Sequence, residues 1–426
     1  MKQYFLSGAL SVSKTDNSDL ANHYCVFIGQ RAFHGSERIV QLLQAIDAET
    51  ELSTIVRRLN RDGDGHLVTE KEILFLIEQR FIPDGLVVTS LNAVAGLAKK
   101  PRSHLFLSQT LVDAATVARI AIKFRFFFSP VISITFTATM LVLLGVWLWQ
   151  LIAAGSSFGL TKSGFTMSWQ DSLLFYGLMF FCFLVHELGH AAASARFGSK
   201  PAEIGVGLYL IFPVLFCNVT DAWRLPRMQR VVVSLGGGYF QVLACAMLVP
   251  FQLASSSALL SFVIATNLMS ILVTLNPFFR FDGYWVYADF FCLANLRERS
   301  RRCVSAMLVK ILFGMRNVDD RASTALRIYT LGSALFFTWF SVTMVYSATT
   351  LINITPALYN SAILHYQLDP SANAIGDLVS SGVMYLVFMI GCALTFSYIV
   401  STFGQGIAEM RKMFVDNRTT QQSGMT

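Results

Sequence analysis

Between Val231 and Phe279 the chain carries no charged residue, and that run excludes most folds. A stretch so long without charge is either core on every side or faces lipid. Similar runs extend from Phe126 to Thr161 and from Asp171 to Arg196, the second broken only by the group His-Glu-Leu-Gly-His. Two more follow Arg327 and separate Asp377 from Glu409. Each approaches the ~18–20 residues needed to cross a bilayer. The runs are continuous rather than alternating, so helices are expected and not barrel strands. Val231 to Phe279 is too long for one helix, and Pro250 with Ser255 to Ser257 divides it into two. The expected fold class is a polytopic α-helical membrane protein with six transmembrane helices, in keeping with 54% hydrophobic and 14% charged residues.

Lysine and arginine fix the orientation. They cluster before the first helix, between the second and third, after the fourth and after the sixth, whereas the opposite connections hold only Lys162. The positive-inside rule then places both termini in the cytoplasm of a multi-pass protein of the inner (cytoplasmic) membrane. The net charge of +7 is spent on topology, so nucleic acid is not expected as a partner. IGVGLYLIFPVLFCNVT, from Ile204 to Thr220, lies between two basic clusters, and spanning once would invert everything after it. It is expected as a membrane-dipping hairpin, tolerable where it packs on protein or lines a cavity.

Residues 1–95 read as a small cytoplasmic α+β domain of winged-helix type. NHYCVFIGQ forms a strand and turn, SERIVQLLQAID a helix capped by Ser36, and ELSTIVRRLN a second helix. TEKEILFLIEQRF is the third, with Thr69 and Glu72 in capping-box spacing. Residues 96–125 read as a basic linker, 126–410 as the membrane domain and 411–426 as a polar cytoplasmic tail. No cleavable signal peptide is expected, because polar residues break the N-terminus before an apolar core develops. NRDGDGHLVTEKE imitates a calcium loop, but its twelfth position is Lys71, where a glutamate is required. The seven cysteines lack framework spacing and read as reduced apolar side chains.

His186, Glu187 and His190 form H-E-x-x-H inside an apolar helix. Positions i and i+4 share a face, so two imidazoles can hold one metal ion while the glutamate serves as a base. Ionisable groups at bilayer depth cost at least ~2.5–3.5 kcal/mol on insertion scales, which favours function over two ordinary core histidines. At the helical rise, His190 lies ~9 Å and His186 ~15 Å along the axis from Arg196. A catalytic zinc takes three protein ligands. The third candidate is Asp282 in TLNPFFRFDGYW, for which an ion pair with Arg280 is the alternative reading. Pro277 breaks the preceding helix, and Gly283 permits a sharp turn.

Taken together, HELGH on an apolar helix, NPFFRFDGYW and the intervening DAWRLP resemble the site-2-protease superfamily of intramembrane zinc metalloproteases. The likeness is to its bacterial branch of peptide zinc metalloproteases, and it covers roughly residues 126 to 300. It implies His186, His190 and Asp282 as zinc ligands and Glu187 as catalytic base. Asn276 matches an asparagine of the bacterial branch that could contact substrate or a developing oxyanion, while Thr274 departs from the family's other asparagine. The N-terminal region resembles the leader-peptide-recognition winged helix of peptide-modifying systems. The resemblance implies hydrolysis of a peptide bond in a precursor peptide or a membrane-anchored protein, in peptide maturation. Implied partners are that substrate, the lipid bilayer, and export or peptide-modifying proteins. Release of a membrane-anchored regulator, a non-hydrolytic zinc component of an export complex, and metal transport are the alternatives. Asp221 has three readings, a contact to a histidine from behind the site, a helix cap or a salt bridge with Arg224, of which the last two are favoured. Gly236 to Gly238 are expected to let helices pack closely.

Overall fold

A computed structural model of the chain describes residues 4–6, 10–14, 23–28, 31–48, 51–62, 68–82, 86–88, 106–153, 169–209, 212–293, 295–313 and 323–368, with scattered helical positions between 390 and 411. It divides into two compact units, Met1–Gly207 with Val214–Ala294, and Leu208–Pro213 with Asn295–Thr426.

The first unit begins with β1 (Phe5–Leu6), β2 (Leu10–Lys14), β3 (His23–Ile28) and β4 (Arg31–Ser36). Three helices follow, α1 (Glu37–Ala48), α2 (Leu52–Asp62) and α3 (Glu70–Leu76), the last continuing as a π-helical turn through Phe81. The short strand β5 (Val87–Val88) pairs antiparallel with β1. Strands β2, β3 and β4 make an antiparallel sheet in that order, with Leu10 opposite Ile28 and Ile28 opposite Arg31. Sheet and helices close on one core that includes Val26, Leu43, Ile46, Ile55, Ile73 and Phe81. The expected capping box is present: Thr69 Oγ1 accepts from the Glu72 N–H, and Glu72 accepts from the Thr69 N–H at 2.9 Å. The Thr69 N–H and the Thr69 hydroxyl, each donating to Glu72 Oε2 at 2.9 Å, hold the Glu72 carboxyl below its ordinary value. Asn60, first position of the calcium-loop lookalike, is committed to the backbone of Val68 on both sides, at 3.0 and 2.8 Å.

The linker expected over 96–125 is folded from residue 106 onward. Strand β6 (Phe106–Val112) leads into helix α4 (Ala114–Phe124). Asp113 caps the helix by accepting from the Thr116 N–H at 3.0 Å. Val117 and Ala121 on α4 pack with Ala191 and Ile204. The linker reading rests on the basic stretch AGLAKKPRSH, whereas on α4 the face of Val117 and Ala121 is buried and Ile120, Ile122 and Phe124 are exposed.

Helices α5 (Pro130–Ala153), α6 (Trp169–Arg196) and α7 (Arg227–Ser255) are each long and apolar enough to cross a membrane. Between α6 and α7 lie β7 (Ile204–Tyr209) and β8 (Phe212–Cys217), the expected hairpin, which joins β6 in a sheet of order β6-β7-β8. Helix α8 (Ala258–Thr274) is apolar but shorter. The break between α7 and α8 is made by the serines alone. Ser256 turns left-handed at φ 49° and Ser257 caps α8, while Pro250 stays inside α7. Helix α9 (Asp282–Phe290) closes this unit.

In the second unit, α10 (Leu296–Phe313) precedes α11 (Thr324–Leu368), whose segment Thr324–Thr350 is a fourth helix able to span. The described chain is thus mainly helical, with four helices of membrane-crossing length. The sixth expected span, between Asp377 and Glu409, lies outside the described residues apart from the scattered positions.

Helices α6 and α7 are held closest. A Cβ built on Gly189 would stand 2.2 Å from the Gly236 carbonyl oxygen, and one on Gly236 would stand 2.8 Å from that of Gly189. Only hydrogen fits at either position, so Gly189→Ala must force the two backbones apart. Overpacking of this kind is expected to cost on the order of 1–3 kcal/mol. Gly145 on α5 has nothing within 4 Å of its Cβ position. Gly145→Ala is therefore expected to be neutral or to stabilise by up to about 1 kcal/mol through helix propensity. Thermal unfolding of the two variants in detergent micelles checks the contrast.

Candidate metal centre

Helix α6 carries His186 and His190 one turn apart, both more than nine-tenths buried. Their rings meet edge to face with centroids 4.8 Å apart. The two Nε2 atoms stand 3.1 Å from each other. Asp282, first residue of α9, completes the group: Oδ2 lies 3.0 Å from His186 Nε2 and Oδ1 3.4 Å from His190 Nε2. His186, His190 and Asp282 thus form a group able to hold a metal ion. Ligands about 2.0–2.1 Å from a tetrahedral zinc stand about 3.3 Å from one another, close to these separations. Two imidazoles and a carboxylate are a donor set that suits zinc.

The chain geometry that delivers Asp282 is local. Helix α8 ends where Leu275 caps it, and Pro277 follows. Asn276 Oδ1 accepts from the Phe278 N–H at 2.8 Å, tightening the reversal. A Cβ on Gly283 would stand 1.9 Å from the Leu275 carbonyl oxygen. Gly283 is therefore required for close approach rather than for a left-handed turn, since Gly198 is the one described glycine with positive φ. The far end of α9 is pinned to α7, where Arg230 Nε donates to Asp289 Oδ1 at 2.7 Å. Burial pushes the Asp289 carboxyl upward and the Arg230 charge draws it back. Arg227, one turn earlier, donates to Cys292 Sγ at 3.2 Å.

Each histidine is also held from behind. His190 Nδ1 lies 2.8 Å from the Val233 carbonyl oxygen, and His186 Nδ1 lies 2.9 Å from Gln241 Oε1. Between those two residues on α7 sits Gly237, where a Cβ would stand 2.4 Å from His190 Nε2 and 2.5 Å from His186 Nε2. Val233, Gly237 and Gln241 are spaced four apart and form one stripe of α7 against the imidazoles. Among the expected glycines, Gly236 thus serves helix packing, and Gly237 clears the site itself. Neither Gln241 nor the Val233 carbonyl was among the expected site residues. The signal for Gln241 in the sequence is an amide within the uncharged run from Val231 to Phe279.

Glu187 is buried and lies near the backbone of Cys217, the last residue of β8. Asn276, expected as a donor to substrate, does not join the trio through any of its hydrogen bonds among the described residues; the bond to Phe278 engages its Oδ1. Asp221 forms the salt bridge expected as one of its readings, accepting from Arg224 Nε at 2.7 Å and from the Lys200 N–H at 2.9 Å. The Arg224 guanidinium lies 3.9 Å from the Phe27 ring centroid. Cys182, Cys217, Cys245, Cys292 and Cys303 are all free thiols.

Compared with protein-family models, curated proteins and solved structures, the chain has no match.

The purified chain is expected to carry about one equivalent of zinc, measured by elemental analysis with protein quantitation. His186→Ala, His190→Ala or Asp282→Ala should each reduce it to background. Gly237→Ala keeps every ligand, yet its methyl falls on both ring nitrogens, so it should lower zinc content equally.

Proposed function

We propose that the chain is an intramembrane zinc metalloprotease that hydrolyses a peptide bond in a precursor peptide or membrane-anchored protein. The observation that carries this reading is the convergence of His186, His190 and Asp282 on one buried locus, with the Glu187 carboxylate one residue from His186 on the same helix. A site built only for structure needs no such base.

His186, His190 and Asp282 would hold the zinc, whose chemistry is Lewis-acid polarisation of the scissile carbonyl and the attacking water. Glu187 takes a proton from that water as its oxygen bonds to the carbonyl carbon. It returns the proton to the amide nitrogen as the C–N bond breaks, leaving a carboxylic acid and an amine. Asn276, whose Nδ2 carries donor hydrogens, would contact the substrate or the developing oxyanion.

An α-helical substrate has its backbone bonded internally and must be extended before it can react. Strand β8 stands at the end of the sheet order and finishes at Cys217, beside Glu187. A substrate added alongside β8 by strand pairing would be extended and delivered to the base. On this reading the chain crosses the inner membrane six times with both termini cytoplasmic, and an N-terminal winged-helix-like domain captures a leader or tail and raises its local concentration. Export or peptide-modifying proteins would supply the substrate or take the product.

Glu187→Gln keeps the ligands and removes the base, so turnover is expected to fall about 10²–10⁴-fold. In host cells, one defined peptide or membrane fragment should disappear while its uncut precursor accumulates, read by comparative peptidomics of membranes and medium. Matching profiles from the wild type and Glu187→Gln, with an effect only on full deletion, would overturn the protease reading in favour of a scaffold.

A further inference from the structure

We infer that a relay of buried amides fixes which nitrogen of His186 carries its proton, making Gln241 a positioning residue for the metal centre. The inference rests on reading His186, His190 and Asp282 as a metal site.

The direction of each hydrogen bond follows from groups that can act in one way only. Asn267 is fully buried on α8, and its Nδ2 faces the Val263 carbonyl at 3.1 Å and the Met179 thioether at 3.0 Å. Both of those groups only accept, so the amide of Asn267 must place its nitrogen there. Its Oδ1 is then turned toward Gln241, 2.9 Å away, and requires a donor. Gln241, also fully buried, answers with Nε2. A second lock agrees. The Ser270 hydroxyl spends its hydrogen on the Asn267 carbonyl at 2.8 Å, so it can only accept from Gln241 Nε2, also at 2.8 Å.

With Nε2 committed twice, Gln241 presents Oε1 to His186 Nδ1 at 2.9 Å. That oxygen accepts, so His186 carries its proton on Nδ1 and leaves Nε2 as a lone pair. The Val233 carbonyl dictates the same tautomer for His190. The locus is therefore ringed by lone pairs, two from Nε2 atoms 3.1 Å apart and the rest from the Asp282 carboxylate. With both Nδ1 hydrogens committed to fixed acceptors, Nε2 is the nitrogen each ring has free to bind a cation. The polarity is set as far away as Val263, by a carbonyl that touches neither histidine.

Zinc titration of the stripped full-length chain in detergent, in competition with a chromogenic chelator, tests the relay. Gln241→Leu keeps volume but removes the acceptor, and affinity is expected to fall about 10- to 100-fold, as for other residues that orient ligands. Gln241→Glu restores an oxygen toward Nδ1–H and should bind within a few-fold of wild type. The double variant Asn267→Leu/Ser270→Ala leaves Gln241 in place but free to turn over, and should fall between the two. It also carries the test where Gln241→Leu does not fold. Nitrogen-15 spectra of the zinc-free wild type should show His186 protonated on Nδ1, and the signal should split between tautomers in the double variant. Equal loss in Gln241→Leu and Gln241→Glu would make the residue mere packing and overturn the relay, as would undiminished binding in Gln241→Leu. A wild type that takes up no zinc would instead overturn the metal-site reading itself.

Discussion

The contact between α6 and α7 at Gly189 and Gly236 is the constraint on which the site depends. In lipid, two apolar helices gain little from hydrophobic burial against each other, so close backbone packing has to supply the attraction. Here the carbonyl oxygen of each glycine occupies space that a methyl group would need. The register this contact sets is antiparallel: His186 meets Gln241, Gly189 meets Gly236, and His190 meets Val233. A shift by one residue on α7 would carry the Gln241 amide away from His186 and the Val233 carbonyl away from His190. Ligand orientation is thus a by-product of helix packing, and no loop is needed to achieve it.

Asp282 poses a different problem because it comes from a third element that must turn back toward α6. The reversal after α8 is made of backbone: the Asn276 oxygen takes the Phe278 N–H, and Leu275 presses its carbonyl against Gly283. Distance from the hinge is then controlled at the other end of α9, through Arg230 and Asp289. A partly buried ion pair of this kind is a poor source of net stability, yet losing one partner leaves a costly unpaired charge. It suits a role in holding a short helix at one setting.

Residues whose meaning is local were legible in the sequence. Thr69 and Glu72 form the capping box their spacing implies, the serines at 255–257 end one helix and start the next, and Gly-rich IGVGLY turns back as a hairpin. His186 and His190 are legible for the same reason, since i and i+4 share a face of any helix. Pro250 misleads because a proline inside a long apolar helix can be carried by its neighbours. The helix at Ala114–Phe124 was hidden by the basic stretch AGLAKKPRSH before it, and its burial against Ala191 belongs to tertiary structure. Gln241 was hidden more deeply. Its partners lie 55 residues back and 26 residues ahead, so no window of sequence contains the arrangement that gives it meaning.

That arrangement also explains why polar residues are tolerated in the run from Val231 to Phe279. An unsatisfied buried amide costs about 1–3 kcal/mol, and α7 and α8 place two of them side by side where water is scarce. Gln241, Asn267 and Ser270 avoid the penalty by using one another, together with a carbonyl and a thioether that only accept. Satisfying this set leaves no freedom in its direction: the hydrogens all run away from His186, and the last oxygen points at it. The same accounting that makes the helices compatible with a membrane interior therefore makes the imidazole a lone-pair donor. Stability of the polar cluster and orientation of the candidate ligand His186 have one physical cause.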